Sequence, residues 1–223
     1  NERIKALDPK CKLVVLIDVA HGDHMLVHDM IKMLQLDVPE AYIIAGNIAT
    51  YDAAIRLMKT GVDGLKVGVG PGSLCTTRLE TGAGVPQLTA VMEVARAITD
   101  TGADVTLIAD GGIKHNGDIV KAIGAGANTV MSGYLFAGTD ATPGEVYMDA
   151  RGDVYKVYRG SASRESKLDR GETKNIEGVA TRIRYRQKGS TEKVFLDSFD
   201  GIRSGLSYAG FNNLQEAVGN MRF

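Results

Sequence analysis

The sequence contains no tryptophan, only two cysteines and five prolines, and no apolar run near the roughly 20 residues that a membrane-spanning helix needs. A membrane-spanning protein is therefore not expected. The opening stretch Asn1 to Lys10 is polar and precedes a single short apolar run, which does not read as a secretion signal. Cys11 and Cys75 stand in unrelated contexts, one at a strand entrance and one in a glycine-rich loop, so no disulfide framework is expected and a reducing cytoplasm is the natural setting. Charge of one sign is also lacking: 26 basic and 27 acidic residues leave a net charge of -1. No broad positive field exists to hold nucleic acid or an anionic membrane, so any bound phosphate must be gripped locally.

What the chain does have is glycine, 27 residues of it, and a 44% hydrophobic content within 223 residues, enough for one core and one domain. Short apolar runs ending in polar residues alternate with helix-length amphipathic segments five times. The runs are Leu13 to Ile17 before Asp18, Ala41 to Ala45 before Gly46-Asn47, Gly64 to Val67 before Gly68, Val105 to Ala109 before Asp110, and Thr129 to Met131 before Ser132. Apolar spacings of three and four predict helices over 24–36, 51–60, 87–101 and 116–125. Continuous apolar strands interleaved with helices imply a parallel sheet covered by helices.

Polar residues close every strand, whereas an open doubly wound sheet gathers its ligands at one switch point. The expectation is an α/β chain forming part of a (β/α)₈ TIM barrel, with five strands present and about three missing on the N-terminal side. Beyond the fifth strand, a hairpin over 145–158 turns at Ala150 to Asp153, and a charged, apolar-poor segment from Gly160 to Glu177 is expected to be a mobile flap. Helices from Thr191 to Ser204 and from Asn213 complete a single domain.

The loop Gly68-Val69-Gly70-Pro71-Gly72-Ser73-Leu74-Cys75-Thr76-Thr77-Arg78 carries the most chemistry. Its alternate glycines can turn N–H groups inward as an anion nest, or carbonyls inward around a cation. Ser73 offers a hydroxyl to a phosphate oxygen, and Cys75 offers a thiolate able to attack an electron-poor carbon. Asp110-Gly111-Gly112 and Ser132-Gly133 follow the next two strands, where glycine lets backbone N–H groups approach phosphate. Asp110 suits a ribose diol, or else caps a helix. Asp18, near Ala20, and Asn47 occupy equivalent strand ends, suited to a ribose or an amide. His21, His24 and His28 share a helical face, but no carboxylate or cysteine completes a metal set, and a solvated helix start explains them as well.

Gly70 to Arg78, followed by Thr81-Gly82-Ala83-Gly84-Val85-Pro86-Gln87-Leu88, resembles the active-site loop shared by GMP reductases and IMP dehydrogenases. So do Ala109 to Ile113, Tyr158 to Ser163, and Gly201 to Gly210. The resemblance implies that Cys75 is the nucleophile adding to the purine 2-position and that Thr77 handles ammonia or water beside it. It also implies that Ser73, Gly111, Gly112, Ser132, Gly133, Tyr158, Gly160 and Ser161 hold the nucleotide phosphate, and Asp110 its ribose. Asp18, Ala20, Asn47 and Gly68 then face a nicotinamide cofactor, NADPH or NAD, and the carbonyls of Gly70, Gly72 and Cys75 match a potassium site. The five strands become numbers four to eight of the barrel, and a homotetramer is implied.

The family's two activities share a covalent thio-purine intermediate. Dehydrogenases resolve it with a water-activating Arg-Tyr pair on the flap, and between Ser163 and Glu177 this chain offers Arg164, Lys167 and Arg170 without a tyrosine. That favours an NADPH-dependent GMP reductase. In reductases a glutamate that assists the threonine directly follows the Ser-Ser or Ala-Ser step; here Arg164 stands there and Glu165 comes next, so Glu165 takes the part by a one-residue slip. Arg184-Tyr185, beyond the flap, reads as structural. The alternatives are an NAD-dependent IMP dehydrogenase and a catalytically silent nucleotide-binding barrel fragment.

Overall fold

The structure is a computed structural model describing residues 12–222. Cys11 lies outside them. Five parallel strands run in consecutive order: β1 (Val14–Asp18), β2 (Tyr42–Ile48), β3 (Gly64–Val67), β4 (Thr106–Asp110) and β5 (Thr129–Met131). Four helices fill the crossovers: α1 (Met25–Asp37), α2 (Tyr51–Met58), α4 (Gln87–Thr101) and α5 (Asn116–Gly124), and the short α3 (Thr77–Thr81) sits within the cysteine loop. Consecutive parallel order with a helix after each strand is the topology of an arc of a (β/α) barrel.

Alternation along the strands separates two faces. Ile43, Ala45, Leu65, Val67, Leu107 and Ala109 point outward and are buried against Val27 and Ile31 of α1, Ala54 and Leu57 of α2, Val91 and Val94 of α4, and Ile119 and Ile123 of α5. Their helical spacing of three and four is what the sequence pattern registers. The opposite face carries Val14, Leu16 and Asp18 of β1, all exposed, and Lys66 of β3. Local chemistry sets the helix starts: Thr50 caps α2 by accepting from Ala53 N, and His24 caps α1 by accepting from Leu26 N.

The register between β2 and β3 shifts between Gly46 and Ile48, so Asn47 is an extra residue on β2. A bulge of this kind re-aims the side chain it carries. After β5 a separate antiparallel sheet forms from β6 (Tyr147–Met148), β7 (Val154–Arg159) and β8 (Ala180–Arg184). The hairpin expected over 145–158 is present, and β8 adds a third strand that the sequence does not announce. The segment expected to be an irregular flap holds a short helix, α6 (Arg164–Leu168), capped by Ser163. Helix α7 (Thr191–Ala209) continues past the expected end at Ser204, and α8 (Leu214–Ala217) follows. Among the described residues no helix is long and apolar enough to cross a membrane.

Candidate active site

A cleft of about 640 Å³ opens at the C-terminal ends of β1 to β5. The glycine loop supplies Gly68, Gly70, Gly72, Ser73, Cys75 and Thr77 to its wall, β1 and β2 supply Asp18, Ala20 and Asn47, and β4 supplies Asp110 and Gly111. Gly133, Tyr158, Gly160 and Ser161 close it from the far side. Residues spread over 140 positions of sequence thus meet because each follows the end of a parallel strand or borders the small sheet. A second groove, of about 480 Å³, lies between α4, α5 and the C-terminal segment, and contains none of the expected site residues.

The centre of the cleft is a chain of polar atoms. The Cys75 thiol donates to Thr77 Oγ1 at 3.1 Å, and the Thr77 hydroxyl donates to Glu177 Oε2 at 2.7 Å. Cys75 is half-buried and free. Glu177 reaches Thr77 because its own backbone is stitched to the loop: Thr76 N donates to Glu177 O, Val179 N donates to Leu74 O, and Cys75 and Gly178 form an antiparallel bridge. Two positive-φ glycines keep the loop open around Arg78, whose guanidinium donates to the carbonyls of Val69 and Val85; a Cβ on Gly70 or Gly84 would meet that side chain at 2.7 or 2.5 Å.

At the other end of the cleft, Ser73 Oγ and the Tyr158 hydroxyl lie 3.4 Å apart, and a Cβ on Gly133 would come within 3.2 Å of that hydroxyl. These three bring two hydroxyls and bare glycine backbone together on the cleft wall, chemistry that suits a phosphate group. Asp110, Asn47 and Lys66 line the same cleft.

Three expected site residues stand elsewhere. Glu165 is exposed on α6 and does not line the cleft; Glu177 holds the carboxylate position beside Thr77. Ser132 donates its hydroxyl to Ile113 O at 2.9 Å and accepts from Leu135 N, so the side chain is committed to shaping its own turn. Gly112 has a φ of 75° and packs against Gln87 and Pro71 behind the cleft. Arg184 pairs with Asp153, and Tyr185 N donates to Val154 O, which makes that dipeptide part of the small sheet. Of the histidines, His24 caps α1 and His28 lies 3.5 Å from Asp23.

Sequence reasoning passed over Glu177 and Lys66 as site residues. The first was hidden by its distance from the Ala-Ser step, the second by sitting inside a buried apolar strand. Lys167 and Arg170 of the flap also reach the cleft.

A parallel α/β scaffold whose strand ends bring together a thiol, a carboxylate, hydroxyls and bare glycine backbone has the architecture of the (β/α) barrel class. The family model for the IMP dehydrogenase / GMP reductase domain matches residues 1–223. The chain belongs to that family. It is 43% identical over 235 residues to the inosine-5'-monophosphate dehydrogenase of Chlorobaculum parvum, covering 99% of this chain and 47% of that protein. It is 42% identical to the Aquifex aeolicus protein of the same name, covering 100% of this chain and 46% of the relative. The crystal structure of a cysteine-to-alanine variant of Trypanosoma brucei GMP reductase in complex with guanosine 5'-monophosphate superposes with a TM-score of 0.86 at 43% identity. It covers 94% of this chain and 44% of that one. The sheet described above is therefore part of a TIM barrel, and the chain spans about half the length of these relatives.

Proposed function

We propose that this chain carries the catalytic centre of a GMP reductase, converting GMP to IMP and ammonia at the expense of NADPH. The observation that carries the reading is the hydrogen-bonded series Cys75, Thr77, Glu177 within a cleft whose wall also holds Ser73, Gly133 and Tyr158. A guanine nucleotide with its phosphate against Ser73, Gly133 and Tyr158, with Gly160 and Ser161 beside them, would extend its base toward the thiol. Its ribose would cross Asp110 and Gly111.

In this reading the thiol proton passes through the Thr77 hydroxyl to the Glu177 carboxylate, leaving a thiolate that forms a bond to C2 of the purine. The same proton returns through Thr77 to the 2-amino group, which leaves as ammonia. A reduced nicotinamide held at the Asp18 side of the cleft would supply the hydride that C2 needs for the carbon–sulfur bond to break, IMP to leave and Cys75 to return as thiolate. Asp18, Ala20, Asn47 and Gly68 form the wall left for that cofactor. Asp18 is more than half exposed there, which suits a carboxylate waiting for a diol. A potassium ion fits the carbonyls of Gly70, Gly72 and Cys75 in part, because Gly72 O already accepts from Cys75 N at 3.0 Å and keeps one lone pair.

The flap bears on the choice between the siblings. Between residues 164 and 176 it offers cations, including Lys167 and Arg170 at the cleft, but no tyrosine to partner an arginine in activating water. That supports the reductase; the dehydrogenase names of the bacterial relatives support oxidation of IMP with NAD. A spectrophotometric assay separates them: with GMP and NADPH the absorbance of the reduced cofactor should fall. Appearance of reduced cofactor from IMP and NAD would replace the reductase by the dehydrogenase, and binding of GMP without turnover under either pair would mark a silent nucleotide-binding barrel. Cys75→Ala should bind GMP but lose turnover by at least about a thousandfold.

A further inference from the structure

The floor of the cleft is built around a charge that the reaction above does not use. Lys66 lies on β3, a strand whose four residues are all buried, and its side chain is only 2% exposed. Its ammonium meets Asp18 Oδ1 at 2.8 Å on β1 and also contacts Asp110 Oδ2 on β4. One cation therefore ties together strand ends separated by the whole of β2. Gly46 makes the crossing possible: a Cβ there would lie 2.6 Å from Lys66 Cβ and 2.4 Å from its carbonyl oxygen.

The donors around Asp110 are all on one side. Its Oδ2 accepts from Lys66 and from the bulge residue Asn47, whose Nδ2 stands at 2.9 Å and also donates to Gly68 O at 2.8 Å. No described donor faces Oδ1. Asp18 repeats the arrangement in part, with Oδ1 on Lys66 and a side chain that is more than half exposed to the cleft. The terminal torsion of an aspartate is broad and roughly two-fold, so an unheld carboxylate would rotate, and two unscreened carboxylates would repel each other. A buried ion pair is weak evidence for stability, since an apolar side chain serves a strand interior as well.

We propose that Lys66 is a positioning residue: it turns the open oxygen of Asp110 toward the ribose diol of the nucleotide, and with the same ammonium turns that of Asp18 toward a diol of the cofactor. The inference rests on the nucleotide reading given above and adds to it a shared cation that couples the two halves of the cleft.

The test measures binding of GMP and of 2′,3′-dideoxy-GMP by calorimetry to the 223-residue protein, to Lys66→Met and to Lys66→Gln. The wild type should favour the diol-bearing nucleotide by roughly tenfold or more, the scale of a hydrogen bond to a charged acceptor. In Lys66→Met the preference should fall below about twofold while the dideoxy nucleotide binds as before, and NADPH affinity should weaken by at least about threefold. Lys66→Gln can donate neutral hydrogen bonds to both carboxylates and should fall between. If Lys66→Met does not fold, Lys66→Gln decides, and a preference as large as the wild type's overturns the inference. Equal weakening of both nucleotides would make Lys66 purely structural and also overturn it. Failure of the wild type to bind any purine nucleotide is a different result, one that removes the functional reading itself.

Discussion

Glu177 and Glu165 lie on the same flap twelve positions apart, yet only Glu177 reaches the Thr77 hydroxyl that stands beside the thiol. Linear proximity to the Ala-Ser step pointed to Glu165, whereas the main-chain bonds from Thr76 and Val179 bring the later glutamate back over the loop. Glu177→Gln should lower kcat by about a hundredfold or more, the range of a lost acid–base group, with GMP affinity nearly intact. Glu165→Gln should leave both constants within about twofold. A pH profile of the wild type that persists in Glu177→Gln would remove the carboxylate from the proton path. Asp23 offers a stability test at the same scale. The Arg56 guanidinium beside it, at 2.5 Å, is the main reason its carboxyl sits below the usual carboxylate range, with partial burial opposing. A depressed carboxyl stabilises the fold above its unfolded-state value and loses that contribution as pH falls through the folded one. Asp23→Asn should therefore cost up to about 1 kcal/mol at pH 7 in chemical denaturation, and the difference from wild type should shrink and disappear as pH falls through the depressed folded-state value.

The five parallel strands were legible because each is a continuous apolar run, and the four crossover helices because their buried positions recur at three and four. The start of α1 moved by one residue because His24 is its cap, whereas α2 begins where expected, directly after its cap Thr50, and ends two residues early. Three features were not legible, each for its own reason. Strand β8, Ala180 to Arg184, has no buried face and alternates nothing apolar except Ile183. The bulge at Asn47 follows from register between strands, which no single strand encodes. Helix α7 runs through Gly201 and continues past the expected end at Ser204 through Gly205, although both glycines have low helix propensity. Contact with α5 explains them: a Cβ on Gly201 would stand 2.5 Å from Asn116 Cβ, and one on Gly205 would stand 2.6 Å from Val120. Asn116 also donates to Asp197 O at 2.8 Å, fixing the pair. Gly205→Val should lower stability by about 1 to 3 kcal/mol through overpacking, read as a drop in Tm, whereas Asp200→Ala on the exposed face of the same helix should change it by less than about 0.5 kcal/mol.

At the scale of the whole molecule the sheet is an arc whose inner face is uncovered at β1. Val14 is 55% exposed and Leu16 41%, while their neighbours Val15 and Ile17 pack outward on the core. Helix α1 adds Leu26, Met30 and Met33, an exposed apolar stripe at spacings of four and three. Such surface favours association. The 223-residue protein should run larger than a monomer in sedimentation at micromolar concentration and should brighten a hydrophobic dye, and Leu16→Lys should reduce the dye signal. A monomer that leaves the dye dark would contradict this. The flap, by contrast, is anchored where the chemistry is. Because the bridge between Cys75 and Gly178 fastens nucleophile and proton acceptor to one main-chain ribbon, the two travel as one body. On the reading proposed above, a thiol and a carboxylate joined in this way would stay assembled while a nucleotide enters past Lys167 and Arg170, which line the same cleft.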